Sequence, residues 1–267
     1  VTLRTTIDAG LQAELEAEAR QAVALLGDRG VRQAAIVVLD NATGGVLAWV
    51  GSPDFWEPRS GQTDMVVSAR QPGSALKPFL YALAFDRGVT AATVLPDVPT
   101  QFSTVSGPYE PRNYDRRFRG PVRAREALAS SYNVPAVLLA QQVGTGALLH
   151  TLHLAGFASL RRTADHYGLG LALGNGDVTL MEVANGYRAL ANGGRYAGWH
   201  WRLDETAAPV DGRRIVSRAA ATLRQAPDVE LATIFADTLL VAGRQRTITP
   251  KGLAQKCYVE AIRNHDV

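Results

Sequence analysis

The chain has 267 residues and a single cysteine, Cys257, which excludes an internal disulfide framework. Hydrophobic residues make up 46% and charged residues 20%, proportions that exclude a disordered chain and fit one large globular domain, alone or with small appendages. The net charge of +3 is too balanced to predict a partner nucleic acid. No apolar run reaches the ~20 residues of a membrane helix, and no N-terminal signal is visible, so we expect any membrane anchor to lie outside this chain.

Lysine usage is unusual. Lys77 is the only lysine before Lys251, whereas arginine is frequent throughout. Arginine replaces lysine as a charge but does not become a neutral amine near neutral pH. The pattern therefore favours a proton-transfer role for Lys77, although chance can also leave one lysine.

The first predicted elements form a helix followed by a hairpin. Apolar residues at helical spacing predict a helix over 5–26, with Asp8 as its cap. A continuous apolar run over 34–40 predicts a buried strand, and 46–51 predicts a second strand. Asn, Thr and Gly residues over 41–45 are typical of the turn between them.

Helices and one long loop are predicted in the middle of the chain. A helix is predicted from Ser74 to Phe85. The prolines over 95–122 indicate a long ordered loop, which in a compact domain is often functional. Short helices are predicted over 123–130 and 135–143, with Asn133 as a candidate cap for the second.

The last part of the chain divides at about Ala219. An amphipathic helix is predicted over 179–192. Beyond Ala219 the composition changes, and a helix is predicted over 231–241.

Three further patterns have ordinary interpretations. His150 and His153 share a helix without carboxylate or cysteine neighbours, so packing or solvent exposure is favoured over a metal site. The glycines over 168–176 have the wrong spacing for a phosphate-binding loop and indicate turns. A basic stretch is interpreted as a solvated face rather than a surface for an anionic polymer; it consists of Arg116, Arg117, Arg119, Arg123 and Arg125.

The first candidate catalytic motif is Ser74-Ala-Leu-Lys77, preceded by Gly73. If a helix begins at Ser74, Lys77 lies one turn later on the same face, within reach of the hydroxyl. A hydroxyl becomes a good nucleophile when a base removes its proton, and a desolvated lysine can act as that base. The alternative is a serine cap followed by a surface lysine.

The second candidate motif is Ser131-Tyr132-Asn133, between two predicted helices. It presents a hydroxyl and an amide from one tight turn. The hydroxyl can relay a proton and the amide can bind a peptide backbone, whereas the alternative is that Asn133 only caps the next helix. Both can hold together, because a cap uses the side-chain oxygen and leaves the NH₂ group.

Together these motifs resemble those of the penicillin-recognising serine enzymes, whose signature is Ser-x-x-Lys, Ser-x-Asn and Lys-Thr-Gly. The sequence is similar to the transpeptidase domain of class A penicillin-binding proteins, in particular the 1C type, over about residues 1–218. The text that carries this resemblance comprises Gln71–Phe79, Tyr109–Asp115, Phe118–Val122, Ala127–Val137 and Ala189–Gly194.

The resemblance implies an α/β (α+β) fold with an antiparallel central sheet flanked by helices and a helical lobe. It implies that Ser74 is acylated by D-Ala-D-Ala stem peptides of peptidoglycan, with Lys77 as base and Ser131 as proton shuttle. Asn133 and Tyr132 would bind the substrate, and β-lactams would acylate the same serine. No cofactor or metal is implied, and the location would be the periplasmic face of the inner membrane.

The sequence departs from the family pattern near its end. It contains no Lys-Thr-Gly or Lys-Ser-Gly, and the nearest text, Thr249-Pro-Lys-Gly252, lacks a hydroxyl residue between Lys and Gly. The resulting domain prediction is a linker and helix over 1–33, an incomplete transpeptidase domain over 34–218, without its last sheet strands, and an unassigned tail over 219–267.

The leading functional hypothesis is therefore a D,D-transpeptidase module. One alternative is a serine β-lactamase or D,D-carboxypeptidase of the same fold, although no deacylating water base is evident. Another is a non-catalytic remnant that only binds cell-wall peptide, β-lactam or a partner, as the missing third motif would suggest.

Overall fold

The computed structural model describes residues 3–104 and 107–199. The chain divides into two compact units. Of the described residues, the first unit contains 3–69 and 178–199, and the second contains 70–177. No helix in these ranges has the length and apolar character required to cross a membrane.

The predicted first helix and hairpin are present in the first unit. Helix α1 spans Ala9–Leu26, and the Asp8 side chain caps it by accepting a hydrogen bond from Leu11 N at 3.0 Å. Strands β1 (Ile36–Leu39) and β2 (Val46–Val50) pair antiparallel around the predicted turn.

The hairpin is buried on both faces, which explains why β1 is continuously apolar. One face packs against α1 in a cluster built on Ala19, Ile36 and Val38. The other face packs against helix α7 (Leu180–Ala191), which confirms the helix predicted over 179–192. The helix predicted over 231–241 lies outside the described residues.

The second unit is mainly helical. A 3₁₀ turn over Gly73–Leu76 leads directly into helix α2 (Lys77–Asp86), so the predicted helix is present but begins with a tighter turn. The core of this unit contains Phe79, whose ring meets that of Phe157 edge-on with centroids 5.0 Å apart.

The prediction of one long loop over 95–122 is wrong, because this segment contains four short strands paired as two ribbons. Strand β3 (Val94–Asp97) pairs with β6 (Gly120–Arg123), and β4 (Phe102–Thr104) pairs with β5 (Gly107–Tyr109). Prolines are tolerated because each strand has a single neighbour within its ribbon.

Four further helices lie in the described part of the second unit. The predicted short helices are α3 (Ala124–Ala129) and α4 (Asn133–Val143). They are followed by α5 (Thr145–Leu154), which carries both histidines, and by α6 (Ala164–Tyr167). The glycine-containing segment predicted to form turns instead begins with a 3₁₀ helix over Gly168–Leu173.

Candidate active site

Ser74 lies in the 3₁₀ turn that precedes α2. The left-handed backbone of Gly73, at φ 60°, directs the chain into this turn. Lys77 closes it, because its backbone N–H donates to the carbonyl oxygen of Ser74. Ser74 is half-buried, and the two residues are one 3₁₀ turn apart as the motif spacing predicts.

The turn that carries Ser74 lies close to Gly174, the residue that follows the 3₁₀ helix over Gly168–Leu173. Gly174 has φ 75°, and a Cβ added there would lie 2.2 Å from Gly73 O and 2.5 Å from Gly73 N. No side chain fits at this approach. Gly174 therefore helps to position Ser74, a role that glycine spacing alone did not reveal.

The side chain of Lys77 is 1% exposed and reaches the Ser131–Asn133 turn. Its Nζ lies 2.6 Å from Ser131 O, 3.0 Å from Ser131 Oγ, 3.1 Å from Tyr132 O and 2.8 Å from Asn133 Oδ1. The two motifs that the sequence singled out thus meet at one amine. Within the described part of the chain, no hydrogen bond joins Lys77 Nζ to Ser74 Oγ.

Burial lowers the pKa of Lys77 to about 7, because the charged amine is removed from water. Three of its four oxygen neighbours can only accept hydrogen bonds, whereas Ser131 Oγ can also donate. When Lys77 is neutral, the Ser131 hydroxyl is therefore the donor available to its lone pair. This geometry suits proton exchange between Lys77 and Ser131.

Ser131 adopts a left-handed conformation, with φ 56°, that usually belongs to glycine. It follows the end of α3, where Tyr132 N donates to Ala127 O at 2.9 Å and Ser131 N donates to Leu128 O at 3.0 Å. These two bonds form a Schellman motif, with serine at its left-handed position. Because glycine would adopt this conformation with less strain, the position singles out the Ser131 hydroxyl as a candidate functional group.

Asn133 does not cap α4, so the prediction of a cap is wrong. It is the first residue of that helix, and its Oδ1 accepts from Lys77 while its Nδ2 donates to Arg112 O at 2.8 Å. An amide NH₂ has two hydrogens, so one remains for another acceptor. The N–H of Asn133 is satisfied by Asn113 Oδ1 at 2.8 Å.

The ring of Tyr132 packs against the side chain of Arg119, which belongs to the basic stretch. The guanidinium carbon of Arg119 lies 4.6 Å from the centre of the Tyr132 ring, a cation–π contact. Asp115 forms an ion pair with Arg119, and the hydrogen bond from Arg119 holds the pKa of Asp115 down at about 2. The five arginines of the stretch are exposed, as predicted for a solvated face, and Arg119 in addition packs on Tyr132.

Two polar residues behind the Ser131–Asn133 turn were missed by sequence reasoning. Asp97 is fully buried at the end of β3, and Asn113 is 4% exposed in the segment between β5 and β6. Asn113 Nδ2 lies 2.8 and 2.9 Å from the two carboxyl oxygens of Asp97. An alternating strand pattern over 94–97 would have placed Leu95 and Asp97 on one inward face, but the prolines obscured it.

The histidines of α5 lie elsewhere in the second unit. Both are exposed, and His153 Nε2 is 2.7 Å from Leu160 O, which agrees with the interpretation as packing or solvent-facing residues. Among the described residues no group of three or more His, Cys, Asp or Glu side chains is placed to hold a metal ion.

Comparison with known proteins supports the resemblance that the motifs predict. The family model described as the penicillin binding protein transpeptidase domain matches residues 34–223. The chain is 36% identical over 221 residues to Penicillin-binding protein 1C of Escherichia coli, covering 82% of this chain and 28% of that relative. The chain thus spans about a quarter of that relative's length.

Solved structures confirm the predicted fold class. Penicillin-Binding Protein 1A from Haemophilus influenzae superposes with a TM-score of 0.56 at 28% identity, covering 64% of this chain and 25% of that one. Penicillin-binding protein A from M. tuberculosis superposes with a TM-score of 0.67 at 22% identity, covering 92% of this chain and 65% of that one. The chain belongs to the family of penicillin-binding protein transpeptidase domains, and its similarity is to class A members.

Proposed function

We propose that this chain is a peptidoglycan D,D-transpeptidase module that acts through a serine acyl-enzyme. The observation that supports this most directly is the buried amine of Lys77, which follows Ser74 by one turn and is held by four oxygens of the Ser131–Asn133 turn. This arrangement offers a nucleophile, a base with a pKa near neutrality and a second hydroxyl for proton relay.

In the proposed reaction, neutral Lys77 accepts the proton of Ser74 as Oγ attacks the carbonyl carbon between two D-alanine residues. The carbon–nitrogen bond then breaks, and the departing D-alanine nitrogen takes a proton through Ser131. The acyl group remains on Ser74 until the amine of a second stem peptide attacks the ester and regenerates the serine. The free hydrogen on Asn133 Nδ2 would bind the backbone carbonyl of the donor peptide.

The same serine would react with β-lactams, since these carry a strained amide carbonyl. Ring opening breaks the carbon–nitrogen bond but leaves the amine tethered, so the acyl-enzyme persists. The names of the relatives agree with this expectation, and the neighbouring protein from M. tuberculosis is described as a penicillin G acyl-enzyme complex. By the same reasoning, peptidoglycan stem peptides are the proposed partners, at the periplasmic face of the inner membrane.

A second candidate is a non-catalytic domain that only binds cell-wall peptide or a partner. The observation that favours it is the absence of Lys-Thr-Gly from the sequence. In the family that the sequence resembles, the strand that carries Lys-Thr-Gly supplies one of the two oxyanion donors. Loss of one such donor costs about 10²–10³-fold in rate. Acylation slowed to that degree is still measurable in hours, so the two candidates can be separated.

Fluorescent penicillin labelling tests the proposal. We expect covalent label on the folded protein, loss of label in Ser74→Ala, and normal labelling in Ser130→Ala, a neighbouring exposed serine outside the Lys77 contacts. Folded protein that takes no label after long incubation would support the non-catalytic candidate. Rapid turnover of a chromogenic β-lactam would indicate a β-lactamase instead.

A further inference from the structure

The segment over 110–119, between β5 and β6, braces the Ser131–Asn133 turn at three points; we call this segment the brace. Its Asn113 accepts the N–H of Asn133, its Arg112 carbonyl accepts Asn133 Nδ2, and its Arg119 covers the ring of Tyr132. The oxygens that hold Lys77 therefore depend on where the brace lies.

The brace is in turn anchored on Asp97. Asn113 Nδ2 donates to both oxygens of Asp97, and Arg119 N donates to Asp97 Oδ2 at 3.0 Å. A fully buried carboxylate requires such donors, because desolvation without them is strongly unfavourable. The carboxylate thereby ties the brace to the end of β3 at Asn113 and at Arg119.

Asp97 also determines which way the Asn113 amide faces. A carboxylate only accepts hydrogen bonds, and Arg117 O, 2.8 Å from Asn113 Nδ2, accepts as well. The NH₂ group must face these acceptors, which leaves Asn113 Oδ1 facing the N–H of Asn133. If the Asn113 amide were reversed, its NH₂ group would face the N–H of Asn133. The hydrogen bond that holds the start of α4 would then be lost.

From this chain of contacts, and resting on the proposed function, we propose that Asp97 and Asn113 are positioning residues for acylation. They hold the Ser131–Asn133 turn against the amine of Lys77 without touching the reacting atoms. Asp97 interacts electrostatically with Tyr81 on α2 and with Arg119 on the brace, and Arg119 in turn contacts Tyr132 and Asp115.

The number of lysines allows a direct test. The chain has three lysines, so ¹³Cε-lysine labelling gives three NMR resonances, and Lys77→Arg identifies that of Lys77. In Asn113→Ala we expect the turn to loosen and water to reach the amine, moving the pKa of Lys77 from about 7 to about 8. The rate of penicillin labelling would then fall about fivefold at pH 7 and less than about twofold at pH 9.5.

Two controls separate positioning from general destabilisation. Leu160→Ala opens a cavity at a fully buried residue away from the brace, and should lower stability without moving the Lys77 pKa. The double variant Asp97→Asn with Asn113→Asp exchanges the two side chains. The carboxylate at position 113 still accepts from Asn133 N, and the amide at position 97 donates to that carboxylate. We therefore expect the exchange to restore part of the labelling that Asn113→Ala loses.

A failure of the positioning role can be distinguished from a failure of the proposed function. If the wild-type protein takes no label, the proposed function fails, while the NMR measurement still tests the positioning role. An unchanged Lys77 pKa and an unchanged labelling profile in Asn113→Ala would overturn the positioning role. Should Asn113→Ala fail to fold, the nearly isosteric Asp97→Asn replaces it under the same criteria.

Discussion

Lys77 Nζ lies 2.8 Å from Asn133 Oδ1, across 56 residues of sequence. This contact joins the two motifs and fixes the Asn133 amide so that its nitrogen faces away from the lysine. Asn133 does not cap the helix that follows, because it is the first residue of α4 and Tyr132 holds the cap position.

The first prediction concerns the pH dependence of acylation. Burial lowers the pKa of Lys77 to about 7, and only the neutral amine can accept a proton from Ser74. We expect the labelling rate to be about thirtyfold lower at pH 5.5 than at pH 8.5, with a plateau above. Stopped incubations with fluorescent penicillin, with circular dichroism to verify folding at each pH, would measure this. A flat profile would contradict the role of Lys77 as base.

The second prediction concerns the pH dependence of stability. The folded pKa of Lys77, about 7, lies below the ordinary value of 10.5. Between these values the unfolded chain binds more protons than the folded one, so raising the pH favours folding. Below pH 7 the amine is protonated in both the folded and the unfolded state, so the stability gained by its deprotonation in the folded state is lost.

Comparison with Lys77→Met isolates that effect, because other titrating groups are shared and cancel. We expect the free energy of unfolding of wild type minus that of Lys77→Met to rise by about 1.4 kcal/mol for each pH unit between 7 and 10. Urea unfolding at several pH values gives the difference. A difference that stays constant would mean that the buried amine remains protonated.

The hairpin and the helices could be predicted because their signals are local. Asp8 before an apolar periodic run and the turn residues over 41–45 act on their immediate neighbours, and the structure follows them. Lys77 and Ser131 could be singled out because their types and spacings match known chemistry, although only the fold brings them together.

The support behind the site could not be predicted in this way. Asp97 and Asn113 are 16 residues apart, on segments whose prolines suggested a loop. The approach of Gly174 to Gly73 depends on the packing of two turns, for which the sequence has no periodic signal. Such long-range contacts become visible only when the chain has folded.

The third prediction separates the hydroxyl of Ser131 from its backbone conformation. Ser131→Gly and Ser131→Ala both remove the proton relay, and we expect each to lower labelling by about 10²-fold or more. Glycine adopts φ 56° freely whereas alanine is strained there, so Ser131→Gly should be the more stable by about 1 kcal/mol. Denaturation midpoints and labelling rates of both variants give the two readouts. Normal labelling in either variant would exclude Ser131 as the relay.

The fourth prediction concerns Gly174. An alanine there would place its Cβ within van der Waals overlap of the Gly73 backbone, so the turn that carries Ser74 must shift. A displacement of about 1 Å at a nucleophile can cost about 10²-fold in rate, and we expect a loss of that size in Gly174→Ala. Labelling rates on folded protein are the measurement.

The matched control for that change is Gly30→Ala. Gly30 has a similar left-handed backbone, φ 77°, with open space around the Cβ position. Both variants carry the same conformational strain, about 1 kcal/mol, but only Gly174→Ala disturbs the Ser74 turn. Equal labelling in the two variants would show that the close backbone approach does not position the serine, and that Gly174 serves the turn conformation alone.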